Sequence, residues 1–347
     1  MKPTWPLLLV TAALLGQQPP VTNAKLETAQ VQGGLEKAVR ASMGKQAGAA
    51  WIGWAVKRIP SDGRSCCWDD RGGYGCGLEG QKVTVAPMSG AVKLEGPTQE
   101  HVLLRVEGGA IGRIRSYSDD CPLDAGGLPF HWLTGVSAAE SVAFLAEQVS
   151  RAGAAREELR KADGAIHAIA QHAGDEALRT LERVAAQGAT EKIKHQALFW
   201  LGNSRGEEGY RVVARVLRED PSEKVRERAV YALTQSRAQG AAGAIVRAAK
   251  EDKSARVRGQ ALFWLARKAA APAKGVISEA IEKDPDTEVK KKAVFALTQL
   301  PKEEGTPLLI QLARSHANLA VRKQAMFWLG QSKDPRAVRF FEETLAR

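Results

Sequence analysis

The chain has 347 residues, 50 of them basic and 39 acidic, for a formal net charge of +11. The surplus is not spread evenly: 36 of the basic and 25 of the acidic residues lie from Arg151 onward, so the segment before it is close to neutral. A positive C-terminal part admits an acidic protein partner or another polyanion, and no apolar run in the chain is long enough for a permanent membrane anchor.

The chain opens with Lys2, an apolar run from Pro6 to Gly16, and a polar stretch ending Thr22-Asn23-Ala24. A charged start, a short apolar core and small residues ahead of a cleavage point read as a signal peptide over residues 1–24. The mature protein is then expected to begin near Lys25 and to be periplasmic or secreted. Export argues against nucleic acid as the partner, and the absence of a closely following cysteine argues against a lipoprotein anchor.

Residues 25–135 form a small α+β or β-rich module by composition. Leu35–Met43 is predicted as a short helix, and Trp51–Ile59 and Gln81–Pro87 as strands. Val102–Val106 and Ala110–Tyr117, flanking Glu107-Gly108-Gly109, predict a β-hairpin. All four cysteines, Cys66, Cys67, Cys76 and Cys121, fall in this module. An even number in an exported chain implies disulfides, with three connectivities open. A bond between adjacent cysteines is strained, so Cys66 and Cys67 are each expected to pair with one of Cys76 and Cys121. The alternative is a zinc site, although the spacing matches paired C-x-x-C ligands poorly. Asp119, Asp120 and Asp124 read either as a solvated acidic turn or as cation ligands.

From residue 137 to 347 the sequence repeats. Ala197, Ala229, Ala261, Ala293 and Ala325 stand 32 residues apart, each followed four residues later by a leucine. Seven residues before each alanine is a helix-capping type: Thr190, Ser222, Ser254, Asp286 and Asn318. Four before it is Ile193, Val225, Val257, Val289 or Val321, and three before it is always a base: Lys194, Arg226, Arg258, Lys290 and Arg322. Each repeat therefore holds a capped helix of about 14 residues with one apolar stripe. A second amphipathic helix is anchored at Leu181, Val213, Ile245, Ile277 and Leu309. Five units span 173–332, preceded by a less regular one from Ser137 to His172 and followed by a lone helix from Asp334 to Leu345. Such a stack is an α-solenoid. Trp200, Trp264 and Trp328 alternate with Ala232 and Ala296 in one column, which reads as large and small side chains interdigitating, or else as ligand contacts.

The pattern Val-Arg-x-x-Ala-x-x-Ala-Leu after an aspartate-containing turn, as in Asp220–Arg226 and Asp284–Lys290, resembles the HEAT family, above all the short bacterial HEAT-like repeats of phycobilisome lyase subunits. That resemblance implies that the basic column pairs with turn aspartates, here Asp220, Asp252 and Asp284, with His316 replacing the fourth. Together with Trp51-Ile-Gly-Trp54, the Cys-Cys-Trp loop and the segment Asp119–Gly135, the repeats are similar to exported HEAT-domain proteins of bacteria, a family that brings no activity with it.

Enzymes on this scaffold leave no trace here. A di-iron hydroxylase needs repeated His-Glu pairs, and the chain contains none; its six histidines share no repeat column. No nucleophile elbow, P-loop or zinc-protease pattern is present, and no cofactor is implied. The candidate site is a surface. Two residues after each alanine stands an aromatic: Phe199, Tyr231, Phe263, Phe295 and Phe327. Beside them lie Asn203, Gln235, Gln299 and Gln331, with Arg267 in the same column. At 100° per residue the rings point away from the repeat's own core. They form either a wall that binds an extended polypeptide, the basic column being the next candidate surface, or packing between neighbouring helices. The expected function is non-enzymatic protein binding; the alternative is an envelope enzyme or lyase acting where Asp119–Trp132 meets the first repeats.

Overall fold

The computed structural model describes residues 19–45, 47–60, 63–67, 75–81, 83, 96–268 and 272–346. They form two compact units: one up to Gln148 with Gln171–Gly174, the other Val149–Ala170 with Asp175 onward.

The first unit contains β1 (Val21–Thr22), β2 (Lys25–Gln30), α1 (Leu35–Gly44), β3 (Ala50–Lys57), β4 (Cys76–Gly77), β5 (Gln99–Glu107), β6 (Ala110–Ser118), β7 (Leu123–Asp124), β8 (Pro129–Thr134) and α2 (Ala138–Ser150). Five strands make one mixed sheet in the order β2-β8-β3-β5-β6, and β1-β7-β4 make a small second one. β5 and β6 form the expected hairpin, turning through Gly108 and Gly109 at φ 56° and 73°, values that a side chain would disfavour. β3 is buried along almost its whole length, with Trp51 and Trp54 fully enclosed. Gly53 has no room for a side chain, since a Cβ would stand 2.6 Å from Leu103 Cδ2. Trp51, Leu103, Phe130 and Trp132 share a core with Cys76 and Cys121.

The division between units falls later than the composition suggests. Trp54 meets Phe144 edge to face at 5.8 Å, and its indole N–H donates to Ser141 Oγ at 2.8 Å, so α2 belongs with the sheet. His172 joins the same cluster at 2.7 Å from Ser141 Oγ, and the Ala173 amide donates to the Lys57 carbonyl. The irregular first repeat, read as one unit from Ser137 to His172, is therefore split. The strand predicted over Gln81–Pro87 lies mostly outside the described residues, as does the part up to Gln18 of the signal peptide expected over residues 1–24. Pro19–Ala24 sit within the fold: Leu123 N–H donates to Pro20 O, and Ala125 N–H to Thr22 O.

The second unit holds α3 (Arg156–Gln171, up to Ala170), α4 (Asp175–Gln187), α5 (Glu191–Ser204), α6 (Gly206–Glu219), α7 (Glu223–Gln235), α8 (Ala241–Glu251), α9 (Ala255–Arg267), α10 (Ala273–Lys283), α11 (Thr287–Leu297), α12 (Lys302–Ser315), α13 (Leu319–Gly330) and α14 (Pro335–Leu345). The odd-numbered helices α5 to α13 are the second helices of successive repeats and pack side by side; α4 to α12 pack against them. The anchors Leu181, Val213, Ile245, Ile277 and Leu309 are all buried. No described helix is long and apolar enough to cross a membrane.

Candidate functional site

Each second helix begins at the residue that the repeat pattern marks as its cap. Thr190 Oγ1 accepts from the Ile193 amide and Ser222 Oγ from that of Val225; Ser254, Asp286 and Asn318 cap α9, α11 and α13 likewise. The caps satisfy amides that the first turn leaves unpaired and fix the rotation of the helix. The valine, alanine and leucine columns then face inward, and every member is buried. Full burial of each branched side chain contributes about 1.5–3 kcal/mol.

This rotation carries the aromatic column to the seam between neighbouring second helices. Phe199, Tyr231, Phe263 and Phe295 are half-buried there, and Phe327 is 54 % exposed. They neither stand free nor vanish into the core. Phe199 stacks on Tyr231 at 6.2 Å and 18°, and Phe263 on Phe295 at 5.7 Å and 5°. The tryptophans close the gaps. Trp264 lies 5.1 Å from Tyr231, and Trp328 lies 4.7 Å from Phe295. Each is also edge to face with the phenylalanine before it. With Trp200 against Phe199 and His167, ring contacts run without a break from α3 to α13. Alanine at the tryptophan position in alternate repeats, Ala232 and Ala296, leaves the space that this geometry uses. The period of 64 thus has a packing cause, and the contacts of the tryptophans are internal.

The polar column edges the row. Gln235 Nε2 donates to Thr234 Oγ1 at 2.8 Å and Gln299 Nε2 to Thr298 Oγ1 at 2.9 Å, which leaves the amide oxygens as acceptors. Asn203 and Gln331 are exposed. At the centre the guanidinium of Arg267 lies 5.8 Å from the Phe263 ring and 5.9 Å from Trp264, in cation–π range.

In the basic column, Arg226 and Arg258 are taken up by ion pairs within the stack. Arg226 grips Asp252 of the next repeat through Nε and Nη2 at 2.9 and 3.0 Å, and its Nη1 donates to the carbonyls of Asp220 and Pro221. Arg258 repeats this with Asp284 at 2.8 and 3.0 Å. These bonds raise the pKa of both arginines. Burial works to raise that of Asp284, but the Arg258 guanidinium outweighs it and the carboxyl sits below its ordinary value. Where His316 replaces the aspartate, Lys290 Nζ turns to the carbonyls of Ile281 and Glu282 instead. Arg322 Nη1 bonds the carbonyls of His316 and Ala317, and Lys194 is half-buried.

In the first unit Cys66 is bonded to Cys121 and Cys67 to Cys76, so no thiol is left as a zinc ligand. The acidic turn is committed as well. Asp120 pairs with Arg64, Asp119 accepts from the Gln99 amide, and Asp124 accepts from Gly126, Gln81 and Asn23. Sequence reasoning passed over one polar cluster here. Glu100 and His101, adjacent on β5, are both fully buried, and Arg58 Nη1 lies 3.3 Å from Glu100 Oε2. Burial, partly offset by Arg58, pushes the Glu100 carboxyl up to about 7; burial lowers His101 to about 4.

Residues 276–347 match a family model described as HEAT repeats. No curated protein matches the chain. Among solved structures, the complex of CpcE and CpcF of phycocyanin lyase from Nostoc sp. PCC7120 is similar, with 19 % identity over 56 % of this chain and 76 % of that one, at a TM-score of 0.33. Human deoxyhypusine hydroxylase in complex with glycerol shares 14 % identity over 59 % of this chain and 90 % of that one, at a TM-score of 0.28. The residues that match the HEAT-repeat model run from within α10 to the end of α14.

Proposed function

We propose that the protein is a non-enzymatic scaffold of the cell envelope that holds an extended polypeptide along the wall formed by its second helices. The unbroken row of ring contacts from Trp200 to Phe327 carries this reading. Rings that pair through their faces keep rims at the surface, where they offer apolar contact with little loss of side-chain freedom on binding. The glutamine oxygens accept hydrogen bonds from a peptide backbone, and Arg267 favours an acidic residue opposite Phe263. HEAT repeats serve protein interaction, which agrees with a wall rather than a pocket.

Selection of displayed random peptides on the immobilised full chain tests this. Peptides combining apolar and acidic residues are expected to be enriched, with binding lost on Arg267→Glu. Enrichment indifferent to Arg267 would contradict the wall. Export is part of the proposal, with the leader removed ahead of Pro19 so that β1 survives. The first residue of the exported protein, read by N-terminal sequencing, checks that point.

A further inference from the structure

Along the first helices, neighbouring repeats are tied together by ion pairs. Arg215 of α6 bonds Glu182 of α4, Lys250 of α8 bonds Glu279 of α10 at 2.6 Å, and Arg314 of α12 bonds Glu343 of α14 at 2.6 Å. Lys274 of α10 and Glu304 of α12 approach to 3.8 Å. Lys250–Glu279 and Arg314–Glu343 use the same two columns of the repeat, one basic and one acidic. Between α6 and α8 those columns hold Arg218 and Arg247, which are both bases. Among the described residues no ion pair joins these two helices. Arg218 Nη2 donates to its exposed neighbour Glu219, and Arg247 has no partner among the described residues.

The seam that lacks a bridge is also hollow. Its floor carries Ala214, Ala244 and Ala248, where α10 and α12 carry Ser278, Leu308 and Leu312 in the same columns. The alanines and Leu217 leave a pocket of ≈ 290 Å³, bordered by Arg218, Arg247 and Lys253. Two carboxylates reach it. Both oxygens of Asp252 are held by Arg226, so Glu251 alone stands against three bases. The volume is at the lower end for small-molecule sites. A bare phosphate would keep its water and leave the alanine floor uncovered, and a neutral apolar molecule would leave the two guanidinium groups unpaired. A planar carboxylate matches the N–H edges of arginine. We infer that the α6–α8 groove binds a small organic acid, whose carboxylate bridges Arg218 and Arg247 and whose compact apolar body lies on the alanines. The ligand then ties α6 to α8 as Lys250–Glu279 ties α8 to α10.

This pocket belongs to the first helices and the aromatic wall to the second, so the two are tested apart. The probes are 3-phenylpropionate and 4-methylpentanoate, titrated into the full chain by calorimetry. At least one should saturate with a dissociation constant below about 1 mM. 3-Phenylpropanamide, which keeps the ring and loses the charge, should bind at least about tenfold more weakly than the acid. Arg247→Gln should weaken the acid about tenfold as well. Arg247→Glu writes into α8 the acid that α10 and α14 carry, so it should abolish binding with the melting temperature held or raised. Ala248→Leu, which copies the residue of α12, should abolish binding by filling the floor, whereas Arg267→Glu on the wall should leave it unchanged. No saturation by either acid at about 5 mM would overturn the proposal. Acetate or inorganic phosphate binding as tightly as 3-phenylpropionate would reduce the site to a patch of charge and overturn it too. Binding that survives Arg247→Glu or Ala248→Leu, or that only Arg267→Glu removes, would place the acid elsewhere and contradict it.

Discussion

Glu100 and His101 show how two neighbours on a buried strand can hide each other's titration. Folding raises Glu100 from an ordinary value of 4.5 to about 7, so the native state keeps a proton that the unfolded chain has lost. Stability from this residue falls as pH rises through that window. His101 moves from 6.5 to about 4, so the unfolded chain is the one that takes up the proton, and stability rises with pH between those values. The effects oppose each other, and hydrogen exchange of the β3 and β5 amides, corrected for intrinsic rate, should be nearly flat from about pH 5 to 6.5. His101→Asn should unmask a fall in protection with rising pH, and Glu100→Gln a rise. Equal slopes in the two variants would show that the assignment is wrong. The Arg226–Asp252 pair is a second residue-scale case. Removing one partner leaves a charge buried alone, so Asp252→Ala should cost about 3–5 kcal/mol in thermal or urea unfolding. Adding Arg226→Met should recover much of it, because no charge is then stranded. The ladder was legible in the spacing of Arg226, Asp252, Arg258 and Asp284, since a period of 32 brings each base next to the following turn. Glu100 was not, because nothing local in the sequence says that both faces of β5 are covered.

Among the elements, the second helices were readable because their signals are local: a cap, a valine, an alanine and a leucine within about 12 residues. The β5–β6 hairpin was readable for the same reason. β2 and β8 were not, since their parallel pairing joins Lys25 to Pro129 and leaves no turn between them to recognise. The short strands β1, β4 and β7 depend on the loop that the disulfides hold: Cys76 lies in β4, and Cys121 stands two residues before β7. Cys67→Ser with Cys76→Ser should therefore destabilise the first unit by about 2–5 kcal/mol, while the helical melt of the second unit stays where it was. Circular dichroism near 222 nm and near-ultraviolet tryptophan signals separate the two. A common shift of both transitions would mean that the disulfide supports more than its own loop.

At the scale of the molecule, the sequence placed five aromatic residues in one column but left open whether they were wall or core. The helical wheel gives a direction, whereas the half-burial comes from neighbouring helices that the wheel does not contain. Because Phe263 and Phe295 stack on each other, replacing them tests packing as much as binding. The polar edge is the cleaner probe, since surface changes there should alter stability by no more than about 0.5 kcal/mol. The decisive measurement is the dissociation constant of a selected peptide for the full chain carrying Gln235→Ala, Gln299→Ala and Arg267→Glu together, read beside the melting temperature. The wall predicts affinity at least about tenfold weaker with the melt essentially unmoved. Unchanged affinity, or weakening seen only with a collapsed melt, would contradict it.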